Sequence, residues 1–166
     1  MRALTAAVTT AAAIIVLGGM MGCSSAANVG DMQLGDCLKV GGTPDRPEAT
    51  KVACGSPESN FKVAANVASS DQCPTDVDSY YSMRSAFSSS SNTVCMDVDW
   101  VVGGCMSIDA QNDKDPFRVD CNDTTVPNRQ RATQILKGVA SVDQCASGLG
   151  YAYDERQFTV CVEDVT

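Results

Sequence analysis

The chain has 166 residues, carries a formal charge of −8 and contains no histidine. The missing imidazole excludes Ser-His-Asp and Cys-His nucleophile systems, together with histidine-ligated zinc and haem. The acidic balance argues against a nucleic-acid partner and against basic-patch docking on membranes.

The N-terminus reads Met1-Arg2, an apolar run from Ala3 to Met21, then Gly22-Cys23-Ser24-Ser25. A charged start, a short apolar core and small residues at its end describe an export signal, expected over residues 1–22. Three threonines and a Gly18-Gly19 pair interrupt the run. It is therefore marginal against the ~20 apolar residues a spanning helix needs. A cysteine directly after the core reads as a lipobox acceptor. Gly22 fits that pattern, while Met20 and Met21 replace the usual aliphatic and small residues. Acylation of Cys23 would anchor the mature chain, since each buried methylene contributes roughly 0.8 kcal/mol and more than one chain holds stably. Residues 23–34 would form the tether.

The other eight cysteines fall into two sets with echoing flanks. Val67-Ala68-Ser69-Ser70-Asp71-Gln72-Cys73 matches Val139-Ala140-Ser141-Val142-Asp143-Gln144-Cys145 at six of seven positions. Thr93-Val94-Cys95 matches Thr159-Val160-Cys161, Gly35-Asp36-Cys37-Leu38 aligns with Gly103-Gly104-Cys105-Met106, and Val52-Ala53-Cys54 aligns with Val119-Asp120-Cys121. Partner cysteines are offset by 68, 67, 72 and 66 residues. So constant a period marks an internal duplication, with repeat 1 over residues 35–99 and repeat 2 over 100–166.

Within repeat 1, short strands bounded by turn residues are expected at Cys37–Val40, Thr50–Cys54, Phe61–Val67 and Thr93–Asp99. Val77, Tyr80 and Tyr81 follow Pro74 at helical spacing and predict a helix between Cys73 and Phe87. Ser88 to Ser91 reads as a polar loop. Repeat 2 offers strands at Trp100–Ile108, Phe117–Cys121, Arg131–Val139 and Gln157–Glu163, with a loop or single helical turn after Cys145. The run Val98-Asp99-Trp100-Val101-Val102 leaves no room for a flexible linker and predicts one strand continuous through both halves, with Trp100 at the seam. The expected fold class is α+β, mainly β: two tandem disulfide-stapled repeats packed as one unit.

No Cys-x-x-Cys pair is present, so the eight cysteines read as structural disulfides rather than a metal cluster or a redox dithiol. Many pairings are possible. Duplication favours those that recur within each copy, and the preferred scheme joins first to second and third to fourth: Cys37 with Cys54, Cys73 with Cys95, Cys105 with Cys121, and Cys145 with Cys161.

Gly35-Asp36-Cys37-Leu38, Lys51-Val52-Ala53-Cys54-Gly55-Ser56-Pro57 and Phe61-Lys62-Val63 resemble the Gly-Asp-Cys, Val-x-Cys-x-x-Pro-His and Val pattern of actinobacterial septum-formation-type extracytoplasmic domains. From Gly35 to Val165 the chain more closely resembles LppU-type mycobacterial lipoproteins, through Asp99-Trp100-Val101-Val102-Gly103-Gly104-Cys105 and Asp143-Gln144-Cys145-Ala146-Ser147-Gly148-Leu149-Gly150-Tyr151. Glu58 stands where the septum-formation pattern has histidine, so no role of that histidine transfers. The resemblance implies a cell-envelope lipoprotein, supports lipidation at Cys23, and supplies no catalytic residue.

Other motifs carry little chemistry. Ser59-Asn60-Phe61-Lys62 has the Ser-x-x-Lys form of penicillin-recognising enzymes, without the companion elements and at the start of a strand. The run from Asp109 to Asp115 lacks the glycine and the terminal glutamate of a calcium loop. Arg129-Gln130-Arg131 reads as surface charge. Asp97 and Asp99 alternate about Val98 on one strand face, an arrangement able to do acid–base work but ordinarily a solvated face. The expectation is a non-catalytic binding or structural module, anchored on the extracytoplasmic side of the cell membrane. It has no cofactor, no metal and no nucleic-acid partner, and its ligand is an unidentified envelope protein or small molecule. The alternatives are a carboxylate-dependent envelope hydrolase and a small-ligand or lipid carrier.

Overall fold

Alternation of inward apolar and outward polar residues, broken by glycine and proline turns, sets the architecture. In the computed structural model the described residues are 31–43, 46–84, 91–109, 111–112 and 114–166. The expected signal segment, Cys23 and most of the serine loop lie outside them. Five strands form a first antiparallel sheet: β1 (Cys37–Thr43), β2 (Arg46–Val52), β3 (Phe61–Val67), β4 (Ser79–Arg84) and β5 (Ser91–Val98). Five more form a second: β6 (Cys105–Ser107), β7 (Phe117–Val119), β8 (Arg129–Lys137), β9 (Gly150–Tyr153) and β10 (Phe158–Val165).

The strand orders are β2-β1-β3-β5-β4 and β7-β6-β8-β10-β9. Adding five to each label turns the first order into the second. The irregularities repeat as well. Register shifts between Val63 and Ala65 where β3 meets β5, leaving Ala64 unopposed. It shifts again between Cys161 and Val162 of β10, leaving Thr133 of β8 unopposed. A bulge at matching places in both sheets bends each central strand in the same way. The repeated Ala-Ser-x-Asp-Gln-Cys stretches also fold alike, as 3-10 turns at Ser70–Gln72 and Val142–Gln144.

Four disulfides join Cys37 to Cys54, Cys73 to Cys95, Cys105 to Cys121 and Cys145 to Cys161, spanning 17, 22, 16 and 16 residues. Every bridge closes within one sheet's own segment. Each half has its own apolar cluster: Leu38, Phe61, Val63, Val94 and Met96 in the first, and Trp100, Met106, Tyr153, Val160 and Val162 in the second. Val98 packs against both.

Three local expectations are corrected. The segment with helical spacing after Pro74 forms strand β4, and helix among the described residues is limited to 3-10 turns. Tyr80 points outward, 58% exposed, while its neighbour Tyr81 is 9% exposed. That is a period of two, stabilised by pairing along β5. The segment after Cys145 turns as expected, the Gly148 N–H donating to the Cys145 carbonyl at 2.9 Å, but from Gly150 it continues as strand β9, paired to β10. Finally, no strand runs continuously through the seam. The Trp100 N–H donates to the Val98 carbonyl at 2.8 Å, a tight turn that ends β5, and strand structure resumes only at Cys105. Among the described residues no helix is long and apolar enough to cross a membrane.

Candidate functional site

The turn at Val98–Trp100 carries the chain from one sheet to the next and leaves a cleft of about 510 Å³ beside it. β3 and β5 contribute Lys62, Val63, Ala64, Asp97 and Val98. The second half contributes Trp100, Ile135, Lys137, Tyr153, Phe158 and Val160. The volume lies in the range typical of small-molecule sites, which are largely apolar with a few placed polar groups. Trp100 is only 8% exposed and stacks on Tyr151, with ring centroids 5.5 Å apart. It belongs to the apolar cluster of the second half.

Two arginines clamp the halves together beside the cleft. Arg118 of β7 donates from Nη2 to Asp99 Oδ2 at 3.2 Å and from Nε to the Ser56 carbonyl at 3.1 Å. Asp99 Oδ2 also accepts from the Gly55 N–H at 2.7 Å and the Ser59 hydroxyl at 2.6 Å. A buried carboxylate with this many charge-assisted donors is well compensated.

The second clamp is Arg156, in the turn between β9 and β10. Its Nε donates to Asp76 Oδ1 at 2.8 Å, Nη2 donates to the Asp76 carbonyl at 3.0 Å, and Nη1 donates to Asp97 Oδ2. Asp76 Oδ2 accepts from the Glu155 and Arg156 N–H groups at 2.9 and 3.1 Å. The guanidinium sits 5.0 Å from the Tyr153 ring centroid and 5.3 Å from that of Phe158. Nearby, Tyr153 donates its hydroxyl to Asp78 Oδ2 at 2.7 Å, and the Val98 N–H donates to the same oxygen at 2.8 Å.

These three aspartates are held in different states. Burial pushes the carboxyls of Asp78 and Asp97 above their ordinary range, and the compensating bonds to Val98 and Tyr153, or to Arg156, do not offset it. Burial acts upward on Asp76 too, but there the Arg156 guanidinium and the backbone N–H donors outweigh it and hold the carboxyl low. The Tyr153 phenol is raised by burial and by the Asp78 carboxylate beside it. Two buried polar atoms of cleft residues lack a hydrogen-bond partner among the described residues: Asp97 Oδ1 and Trp100 Nε1.

Asp97 and Asp99 therefore both reach the cleft, although Asp99 lies beyond the end of β5 and each is bound to a different arginine. Ser59 is buried against Asp99, while Lys62 begins its own course on β3. Asp109 accepts from Asn112 and pairs with Lys114 in a surface turn. Arg129 corrects the surface-charge reading. It is buried, and its guanidinium donates to the carbonyls of Asp123 and Val165. Arg131 pairs with Glu163 at 2.9 Å. The Cys37 and Cys54 sulfurs lie near an Asp99 oxygen, but they form a disulfide and so are not thiolate ligands for a metal. Arg118, Arg156 and Tyr153 were not singled out from sequence. Arg156 alone leaves a trace there, in the charged run Asp154-Glu155-Arg156. No family model, no curated protein and no solved structure matches the chain.

Proposed function

We propose that this chain is an LppU-type envelope lipoprotein, anchored through Cys23 on the extracytoplasmic side of the cell membrane. Its two repeats, residues 35–99 and 100–166, act as one non-catalytic binding module behind the tether of residues 23–34. The observation that carries this reading is the cleft between the halves. Its walls are mostly apolar, and its two carboxylates are occupied by arginines rather than left free for acid–base work. The matching strand orders support a duplication whose product gains a site neither copy has alone.

The test is recovery of a ligand or partner from native envelope by the acylated chain, set beside an Ala64→Trp variant that fills the cleft. Specific recovery by the wild type and its loss in the variant support the site. Equal recovery by both excludes it. Separately, Cys23→Ser should leave the membrane fraction, and retention there would refute the anchor.

A second reading, a carboxylate-dependent envelope hydrolase, draws on the raised carboxyls of Asp78 and Asp97. It requires release of soluble fragments from purified cell walls by the wild type and no release by Asp97→Asn.

A further inference from the structure

We propose that the cleft takes a single-chain amphiphile with an anionic head, its chain against Val98, Trp100 and Phe158 and its head at the rim formed by Lys62 and Lys137. This rests on the binding-module reading and names the ligand class for the same site.

The walls select the apolar part. Val63, Val98, Trp100, Ile135, Phe158 and Val160 line the cleft, and transfer of a hydrocarbon chain onto such a surface is favourable in proportion to the area covered. The apolar surface continues onto the lip, where Leu34 is 77% exposed.

The rim selects the head. Lys62 of β3 and Lys137 of β8 both line the cleft, are exposed, and take part in no salt bridge among the described residues. Six other cations do have carboxylate partners: Lys39, Lys51, Lys114, Arg118, Arg131 and Arg156. In a chain of net charge −8, two unpaired lysines from different sheets at one apolar opening are a local reversal of sign. The carboxylates there do not cancel them, because Asp97 is held by Arg156 and Asp99 by Arg118. An anion gains at this rim and a cation is repelled.

The tether points the same way. Leu34, on the lip, stands eleven residues after Cys23. Eleven extended residues span at most about 40 Å, so an acyl anchor at Cys23 would keep the opening close to the bilayer. A membrane is a source of anionic single-chain molecules, either fatty acids or acidic lysophospholipids.

The experiment titrates the full mature chain with decanoate, decyl phosphate, decanol and decyltrimethylammonium below their micelle concentrations. Emission of Trp100 serves as reporter, since it is the only tryptophan and lines the cleft. Decanoate and decyl phosphate should give saturable shifts; a preference for the carboxylate points to fatty acids and a preference for the phosphate to lysophospholipids. Decanol should bind at least about tenfold more weakly and the cation not at all. Lys62→Gln and Lys137→Gln should each weaken the anions by about threefold, and the pair by about tenfold, with decanol unchanged. Equal binding of decanol and decanoate overturns the proposal, as does wild-type decanoate binding by the double variant. So does the absence of any saturable response. If the decyl series fails while Ala64→Trp still abolishes recovery from native envelope, only the amphiphile is lost. If both fail, the cleft is not a binding site.

Discussion

Arg156 Nε donates to Asp76 Oδ1 at 2.8 Å, across a separation of 80 residues and from one half of the molecule to the other. With its second bond to Asp97, one side chain ties the β9–β10 hairpin to the segment before β4 and to β5. The aspartates it holds are largely enclosed, at 9% and 17% side-chain exposure. What binds the halves here is a small number of charge-assisted contacts.

Replacing Arg156 by methionine should therefore cost about 2–3 kcal/mol. That is somewhat below the ~3–5 kcal/mol of a fully enclosed pair, because the side chains keep some contact with solvent. Adding Asp97→Asn should recover part of the loss by removing one stranded carboxylate. Urea midpoints of the single and double variants check both statements, and a double variant no better than the single one contradicts them.

Acidity should act on the same aspartates in opposite senses. The folded state raises the carboxyls of Asp78 and Asp97, so the stability each contributes is full below the unfolded value and is lost as pH climbs through the folded value. Asp76 is lowered, so its contribution is present above the unfolded value and is lost as pH falls through the folded one. Asp78→Asn can keep an acceptor for the Val98 N–H and the Tyr153 hydroxyl while removing the buried charge. Its stability relative to wild type should rise from about pH 4 to pH 7, starting from the ordinary carboxylate value. Paired denaturation curves across that range measure the difference; a constant offset would show that Asp78 does not titrate as described.

The four bridges should be close to equivalent. Loops of 16 to 22 residues differ little in closure entropy, and each bridge should contribute about 3 kcal/mol. Paired Cys→Ala replacements, taken one bridge at a time, should lower the unfolding free energy by similar amounts. A single dominant bridge would point to strain or packing in place of closure.

Gly150 and Gly41 make a matched pair. A Cβ on Gly150 would stand 2.5 Å from the Val160 carbonyl and 3.2 Å from Cys145 Sγ, whereas one on Gly41 meets nothing within 4 Å. Gly150→Ala should cost about 1–3 kcal/mol through forced displacement of β10. Gly41→Ala should stay within about 0.5 kcal/mol of wild type or gain slightly. Thermal melts of the two variants decide.

Strand Phe61–Val67 was legible because its apolar residues alternate and clear turn residues precede it. The segment after Pro74 was not. Val77, Tyr80 and Tyr81 satisfy a helical spacing, and the pairing that makes this stretch a strand comes from β5, where Tyr80 faces Cys95 and Tyr81 faces Val94, outside any local periodicity. The seam failed for a different reason. Val98 to Val102 has strong strand propensity, yet Asp99 turns inward to meet Gly55, Ser59 and Arg118, and a buried carboxylate with three donors overrides local preference. In the site itself, Asp97 and Asp99 stood out by their spacing. The arginines that neutralise them are distant in sequence and leave no periodic mark, and the two rim lysines are distinguished only by the salt bridges they lack among the described residues.

Because each of the four bridges returns within its own sheet's segment, no covalent link among the described residues but the main chain crosses from one half to the other. Under a pull on its two ends, such a chain should part first at Arg118 and Arg156. Each half would then resist further extension wherever a bridge shortens its path. Mechanically the molecule is two stiff beads on a short cord, and the cleft exists only while the beads touch.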